Sequence, residues 1–402
     1  MMARTRHIVG LLLLVAAWVF AVEPGRAHKP ITSPFTYNDD VFPILRDRCA
    51  RCHVAEGVAP MSLMTYDDTV PWGESIRVEL LSGHMPPWSV DASPTRFRNA
   101  QSISAREMNV LLTWATGGTP FGSPDKTPPP VSLERRWALG EPDLELPFPN
   151  EFTLPANKQE DVVEFVVPTG FTQARWLRAV DLAPGTPAIV RSATVQIRSA
   201  SASDAAQPIA TERTLALWLP GDDAIPVNDG AAFEVPAGAE LLVRVRYKKT
   251  WQYERKELRD RSTLGLYFAT EASQPVRSVE LTHDGPALQV NGSRRQFSDA
   301  IPDNVRALAI YPGEHPANAG IVVIAIAPDG SRRELIAFHP QREWPRRFWF
   351  KEPIAIERGT KLETTISFDD ETPALPLSQG PTGAQPDSSA VRLTLNVIAA
   401  PR

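Results

Sequence analysis

Cys49-Ala50-Arg51-Cys52-His53 places the chain's only two cysteines three residues apart, with a histidine directly behind them. Residues three apart on a helical turn share a face, so both thiols can reach one edge of a flat ligand. Cys-x-x-Cys-His is the pattern of c-type haem attachment. The thiols bond the two vinyl groups on one ring edge, and the adjacent imidazole swings under the ring to the iron. Other chemistries fit less well. Zinc asks for four ligands, and there is no second cysteine pair. A thioredoxin-type pair follows a strand within a βαβ pattern, which these residues lack. A plain disulfide gives His53 no role. The expectation is one covalent haem c on Cys49 and Cys52, with His53 as the proximal iron ligand.

A sixth ligand must come from elsewhere, and Met61, Met64, His84 and Met85 are the candidates. Met61 and Met64 follow His53 too soon to reach round to the opposite face of the ring without difficulty. Packing the haem pocket suits their soft side chains. Met85 leads into Pro86-Pro87-Trp88, and two prolines make a stiff extended loop suited to presenting a thioether at fixed distance. Methionine ligation raises the potential and closes the last coordination position, which favours electron transfer over oxygen chemistry. Trp72, Trp88 and Trp114 could shield the ring or serve as ordinary core.

The surrounding residues 28–120 read as small and mostly helical. Asp40 can cap a helix whose Val41, Ile44 and Leu45 lead into Cys49. A second helix is expected over Glu74 to Ser82, ending at Gly83. A third starts at Ser104 with Glu107 as a capping box, carries Met108, Leu111, Leu112 and Ala115 on one face, and stops at Gly117-Gly118. Residues 117–130 hold Pro120, Pro124, Pro128, Pro129 and Pro130 beside Gly117, Gly118 and Gly122, which excludes a helix or central strand. The proline-rich linker is placed at 121–137.

From about Trp137 the pattern turns to short alternating strands. Ile321–Ile326, Pro328-Asp329-Gly330 and Arg332–Phe338 spell a hairpin, and Asn291-Gly292 marks another turn. Val235-Pro-Ala-Gly238-Ala-Glu-Leu241, running to Tyr247, matches Ile356-Glu-Arg-Gly359-Thr-Lys-Leu362, running to Phe368, at an offset of 121 residues. The match is either an internal repeat or a coincidence of two generic turn–strand units. The expected fold is a small all-α domain followed by an all-β region of two tandem jelly-roll-like β-sandwiches, residues 138–272 and 273–402.

The chain has 402 residues, 39 of them proline, and a net charge of −5. Arg4 and Arg6 precede an apolar stretch from Ile8 to Val22, with small residues at Ala21 and Ala27. This reads as an export signal over residues 1–27, cleaved after Ala27, or retained as a membrane anchor. Without residues 1–27 the balance is 39 basic to 46 acidic residues, a net −7, which argues against nucleic acid or anionic lipid as partner. The expected location is the periplasm. An exported chain of this size with no disulfide framework leaves its two cysteines to another task.

Val58-Ala-Pro-Met-Ser-Leu-Met-Thr-Tyr66, Pro71-Trp72 and Met85-Pro-Pro-Trp88 make residues 36–120 resemble a family of bacterial monohaem cytochrome c domains. That resemblance implies Met85 as the distal haem ligand. In that family the domain is often fused to a β-rich region similar to copper type II ascorbate-dependent monooxygenases, peptidylglycine α-hydroxylating monooxygenase-like. Val166-Val-Pro-Thr-Gly-Phe171, Asp181-Leu-Ala-Pro-Gly185 and Arg261 to Phe268 fit that pattern, with weaker similarity on to Asp370. The copper ligands do not carry over. Arg191-Ser192 stands where the family has a histidine pair, Arg246-Tyr247 where it has His-Tyr, Gly313-Glu314-His315 for a His-x-His motif, and Ser367 for a histidine near Phe368. No methionine follows Met108, and only His283, His315 and His339 remain beyond residue 120. No copper is expected.

Three functions stay open on sequence. One is an electron-transfer protein whose non-catalytic β-sandwich tail docks a periplasmic or membrane redox protein or complex. A second is a haem-fed metal-dependent monooxygenase using His283, His315 or His339. The third is a haem-linked ligand-binding or sensor module.

Overall fold

The computed structural model describes residues 32–88, 90, 96–98, 100, 102–129, 131, 136–198, 209–211, 213–227, 230–270, 274–283, 289–291, 294–316, 319–368 and 390–401. Residues 1–27, expected as an export signal, and Gly292 of the expected turn lie outside these residues. The chain is mostly β, with a few short helices gathered near its start.

Helix α1 (Phe42–Arg48) continues from a π-helical turn at Tyr37–Val41. The cap is Thr36 rather than Asp40. Thr36 Oγ1 accepts from Asp39 N, while the Asp40 carboxylate reaches back 2.9 Å to Thr36 N. Asp40 thus satisfies the first backbone donor from inside the turn, and the helical path starts four residues earlier than Asp40 alone suggests. Then follow α2 (Tyr66–Thr69), α3 (Gly73–Leu81) and α4 (Ala105–Thr116). The Ser104–Glu107 capping box is complete in both directions, and α4 buries Val110, Leu111 and Trp114 against Leu45 and Tyr37. Residues 117–126 do not run free. Pro120 has no N–H, but its carbonyl accepts from Tyr37 N at 2.9 Å and from Trp114 Nε1 at 3.1 Å. Lys126 pairs with Asp39 at 2.6 Å, so this proline-rich stretch is pinned back onto the helices.

The strands are β1 (Leu144–Pro147), β2 (Phe152–Leu154), β3 (Glu160–Pro168), β4 (Arg175–Ala183), β5 (Val190–Arg198), β6 (Ile209–Thr211), β7 (Thr214–Trp218), β8 (Ala231–Val235), β9 (Glu240–Lys248), β10 (Leu258–Asp260) and β11 (Thr263–Phe268). They continue as β12 (Gln274–Pro275), β13 (Arg277–His283), β14 (Gln289–Asn291), β15 (Arg294–Ala300), β16 (Val305–Pro312), β17 (Ala319–Ile326), β18 (Arg332–Phe338), β19 (Phe348–Ile356), β20 (Lys361–Phe368) and β21 (Val391–Ala399). Period-two burial is plain in β9, where Leu241, Val243, Val245 and Tyr247 point inward and are fully buried. The expected hairpin forms between β17 and β18, closed by Ala327 N to Ser331 O at 2.9 Å.

In the first half, β3-β9-β5-β7 form one sheet and β1-β11-β4-β8 run in a second. In the second half, β15-β20-β17-β18 and β13-β21-β16-β19 repeat both orders strand for strand. The repeated glycines sit at the same crossing between sheets. Gly238, at φ +68°, donates to Phe171 O at 2.8 Å, and Gly359, at φ +85°, donates to Ile301 O at 2.8 Å. Both conformations are left-handed, which favours glycine. The internal repeat is therefore structural and not a coincidence of turns. Each half has its own apolar core, and the two meet through Leu308, Ala309, Trp349 and Ile398.

Candidate functional site

Helix α1 ends at Arg48 with Cys49 as its C-cap, and the next residues close one tight turn. Cys49 N donates to Leu45 O at 2.8 Å, Cys52 N to Cys49 O at 3.1 Å, and His53 N to Cys49 O at 2.8 Å. The chain then folds back over the turn: Ala59 N bonds Cys52 O at 3.1 Å and Leu63 N bonds His53 O at 3.0 Å. Gly57 permits this return, since a Cβ there would lie 2.6 Å from the Cys52 carbonyl oxygen.

His53 Nδ1 lies 3.2 Å from the Met61 carbonyl. A carbonyl only accepts, so Nδ1 carries the hydrogen and Nε2 keeps its lone pair. Burial lowers the imidazole's pKa, against a smaller raising effect of the Met61 carbonyl, and the ring is neutral at pH 7. Both cysteines are free thiols. Burial pushes Cys49 up to about 12, and burial with the Asp222 charge pushes Cys52 up to about 11. A dithiol redox pair needs a stabilised thiolate, and these surroundings do the reverse.

The four candidate sixth ligands separate in space. Met64 is buried among the helices, and Met61 packs against the same cluster. His84 Nδ1 pairs with Glu79 at 3.3 Å on the surface. Met85 N is tied to Glu79 O at 3.2 Å, and the residue is 37% exposed. Trp114 is core, with its indole N–H spent on Pro120. Trp88 packs edge-on to Phe97 and Phe348, and its buried Nε1 has no hydrogen-bond partner among the described residues.

Three partners from the β region complete the site, and sequence reasoning missed all of them. The loop after β7 lies on the cysteine turn: Cys52 Sγ is 3.5 Å from Pro220 O, and Arg51 bonds Gly221 O at 3.2 Å and Asp223 at 2.6 Å. A Cβ on Gly221 would come within 3.1 Å of Cys52 Sγ. Arg191 is the extra residue of a β-bulge, since Val190 pairs with Tyr247 and Ser192 with Arg246. Bulges re-aim side chains, and here Arg191 reaches Lys248 O at 3.0 Å and Val58 O in the segment behind His53. Among the described residues both its hydrogen bonds go to carbonyls and none to a carboxylate. Burial lowers it to about 10. Arg346, before β19, grips Asp222 with two bonds of 2.9 and 2.8 Å and the Pro87 carbonyl with a third of 3.0 Å. The Pro-Gly-Asp-Asp turn was readable as a turn, but its contact with Cys52 spans 168 residues and has no local signal.

The positions matched to copper ligands hold charge pairs and packing instead. Arg246 pairs with Glu160 at 3.2 Å and Glu343 at 2.9 Å. His315 is buried with Nδ1 2.9 Å from Pro316 O, His339 lies against Gly320 beside Ser367, and His283 packs on Phe297. No three of His, Cys, Asp and Glu converge among the described residues.

The donor set fits a haem c. It offers two thiols on one turn and an imidazole whose Nδ1 is committed to a carbonyl, leaving Nε2 unspent.

No protein-family model and no curated protein matches the chain. Three solved structures are distant likenesses. The cowpea mosaic virus top component is 9% identical at a TM-score of 0.28, covering 67% of this chain and 93% of its own. A Paenibacillus xanthan lyase is 12% identical at 0.18, covering 70% and 28%. The Momordica charantia 7S globulin is 9% identical at 0.18, covering 62% and 79%.

Proposed function

We propose that this chain is an exported, periplasmic c-type cytochrome carrying one covalent haem, whose β region docks a redox protein or complex. The observation that carries the reading is the closed turn Cys49–His53 with His53 Nδ1 committed to the Met61 carbonyl. The group would supply a one-electron ferric/ferrous couple when bound. Cys49 and Cys52 would hold its vinyl edge, and His53 Nε2 and Met85 Sδ would ligate the iron. The Met61 carbonyl fixes the imidazole plane, the Pro220–Asp223 loop excludes water from the Cys52 side, and the two prolines after Met85 restrict its approach. The strand orders of the two halves support the further reading of the β region as tandem jelly rolls.

The test is covalent attachment. On a denaturing gel the unmodified chain is expected to show a haem-stained band, weakened in Cys49→Ala and in Cys52→Ala and absent from the double variant. Staining that survives in the double variant sinks the proposal. Metal analysis of the purified holoprotein is expected to find one iron per chain. Stoichiometric copper would move the case to the oxygenase reading.

A further inference from the structure

We infer that Arg346, a residue of the β region, is a positioning residue for Met85, so that the β region controls how firmly the sixth ligand is held. The inference rests on the cytochrome reading above. Arg346 is only 5% exposed and its partner Asp222 is 13% exposed in side-chain area. The two bonds to Asp222, from Nε and Nη2, fix the plane of the guanidinium. Fixing that plane aims Nη1, and Nη1 donates to Pro87 O at 3.0 Å. The guanidinium also lies over the Trp88 ring at 5.4 Å, so the residue after Pro87 is held by the same group. Pro86 and Pro87 each have a locked φ, so fewer torsions separate a displacement at Pro87 from Met85. On its other side Met85 is tied by its own N–H to Glu79 O, at the end of α3. Its backbone is thus held between the last turn of a helix and an arginine from the far end of the chain. Asp222 belongs to the same loop that covers Cys52, so one ion pair ties that loop to the segment after Met85.

An added ligand such as imidazole competes with Met85, and its apparent affinity rises with the fraction of iron that Met85 has left. The experiment uses full-length holoprotein bearing Arg346→Gln with Asp222→Asn, which leaves no lone buried charge, and separately Arg346→Lys. Both are read well below their melting temperatures. The double variant is expected to keep one covalent haem per chain, to lose the methionine-to-iron charge-transfer absorption, and to bind imidazole about tenfold more tightly. Arg346→Lys, which keeps the charge but not the fork, is expected to fall between the two. If both variants keep the methionine absorption and the imidazole affinity of the unmodified chain, with only the melting temperature lowered, Arg346 is a stabilising contact and the inference fails. An unmodified chain with no covalent haem would bring down the cytochrome reading as well. One with haem but no methionine signature would bring down the Met85 assignment and this inference with it.

Discussion

Arg191 brings a positive charge to the Cys49–His53 turn, where we propose that the haem attaches, from a strand that has no sequence link to it. Its hydrogen bonds run to the carbonyls of Lys248 and Val58, and its field acts on Cys52. A cation beside a redox centre favours the reduced, less positive state. Arg191→Gln is therefore expected to lower the reduction potential by on the order of 1 kcal/mol, or tens of millivolts, with haem content unchanged. A potentiometric titration checks this, and an unchanged or higher potential would show that solvent screens the charge. At this scale the turn that holds Cys49, Cys52 and His53 was legible because Cys-x-x-Cys-His is a local pattern written in five consecutive positions. Arg191 was legible only as a position where a histidine was missing. Its real task depends on a bulge, and the bulge exists only once β5 has paired with β9.

Where a partner lies within a few residues, the elements follow from local rules. The capping box of α4 and the β17–β18 hairpin are both of this kind. The cap before α1 was misread because a π-helical turn capped by Thr36 precedes it, and Asp40 accepts from Thr36 N inside that turn. The paired glycine turns left repeat and coincidence both open, and gave no sign that each turn carries the chain from one sheet to the other. Strand β15 offers a test of what burial does inside an element. Asp299 Oδ2 is buried without a hydrogen-bond partner among the described residues, and burial, opposed by His283, lifts the carboxyl to about 6 from 3.8. The folded chain then holds the proton more tightly than the unfolded one, so ionisation costs stability as pH rises between those values. The penalty is complete above about 6 and absent below 3.8. Asp299→Asn is expected to stabilise the protein at pH 7.5 by about 1 kcal/mol, a figure reduced for partial exposure, and to give nothing at pH 4. Thermal melts at both pH values decide it, and an equal gain at both would assign the effect to packing instead.

For the whole molecule, composition divided the chain into a helical and an all-β region, with a proline-rich stretch between them as a tether. On that division, the β region from about Trp137 should fold alone, and the tether should set how far the haem can range. The packing points elsewhere. Residues 117–126 are bonded back to the helices, while Trp88, Val90 and Phe97 pack outside the helical core. Val90 bridges Phe338, Phe97 bridges Phe350, and both are buried in the core of the second sheet pair, with Trp88 packed against it. Phe97 stacks on Phe350 at 5.6 Å and meets Phe348 at 5.8 Å, so three aromatic rings from the two regions close one cluster. None of this had a sequence signal, because each contact joins residues about 240 or more positions apart. A fragment starting near Trp137 would uncover Phe338, Phe348 and Phe350, and burying each apolar side chain is worth roughly 1.5–3 kcal/mol. The fragment is expected to keep its β-sheet circular dichroism, to melt well below the β transition of the full chain, and to bind a hydrophobic dye that the full chain excludes. Phe97→Ala in the full chain should move the β transition in the same direction, by roughly 3–5 kcal/mol. Calorimetry separates the alternatives, since a tethered tail would melt at one temperature in fragment and full chain alike. A shared core requires the two transitions to move together.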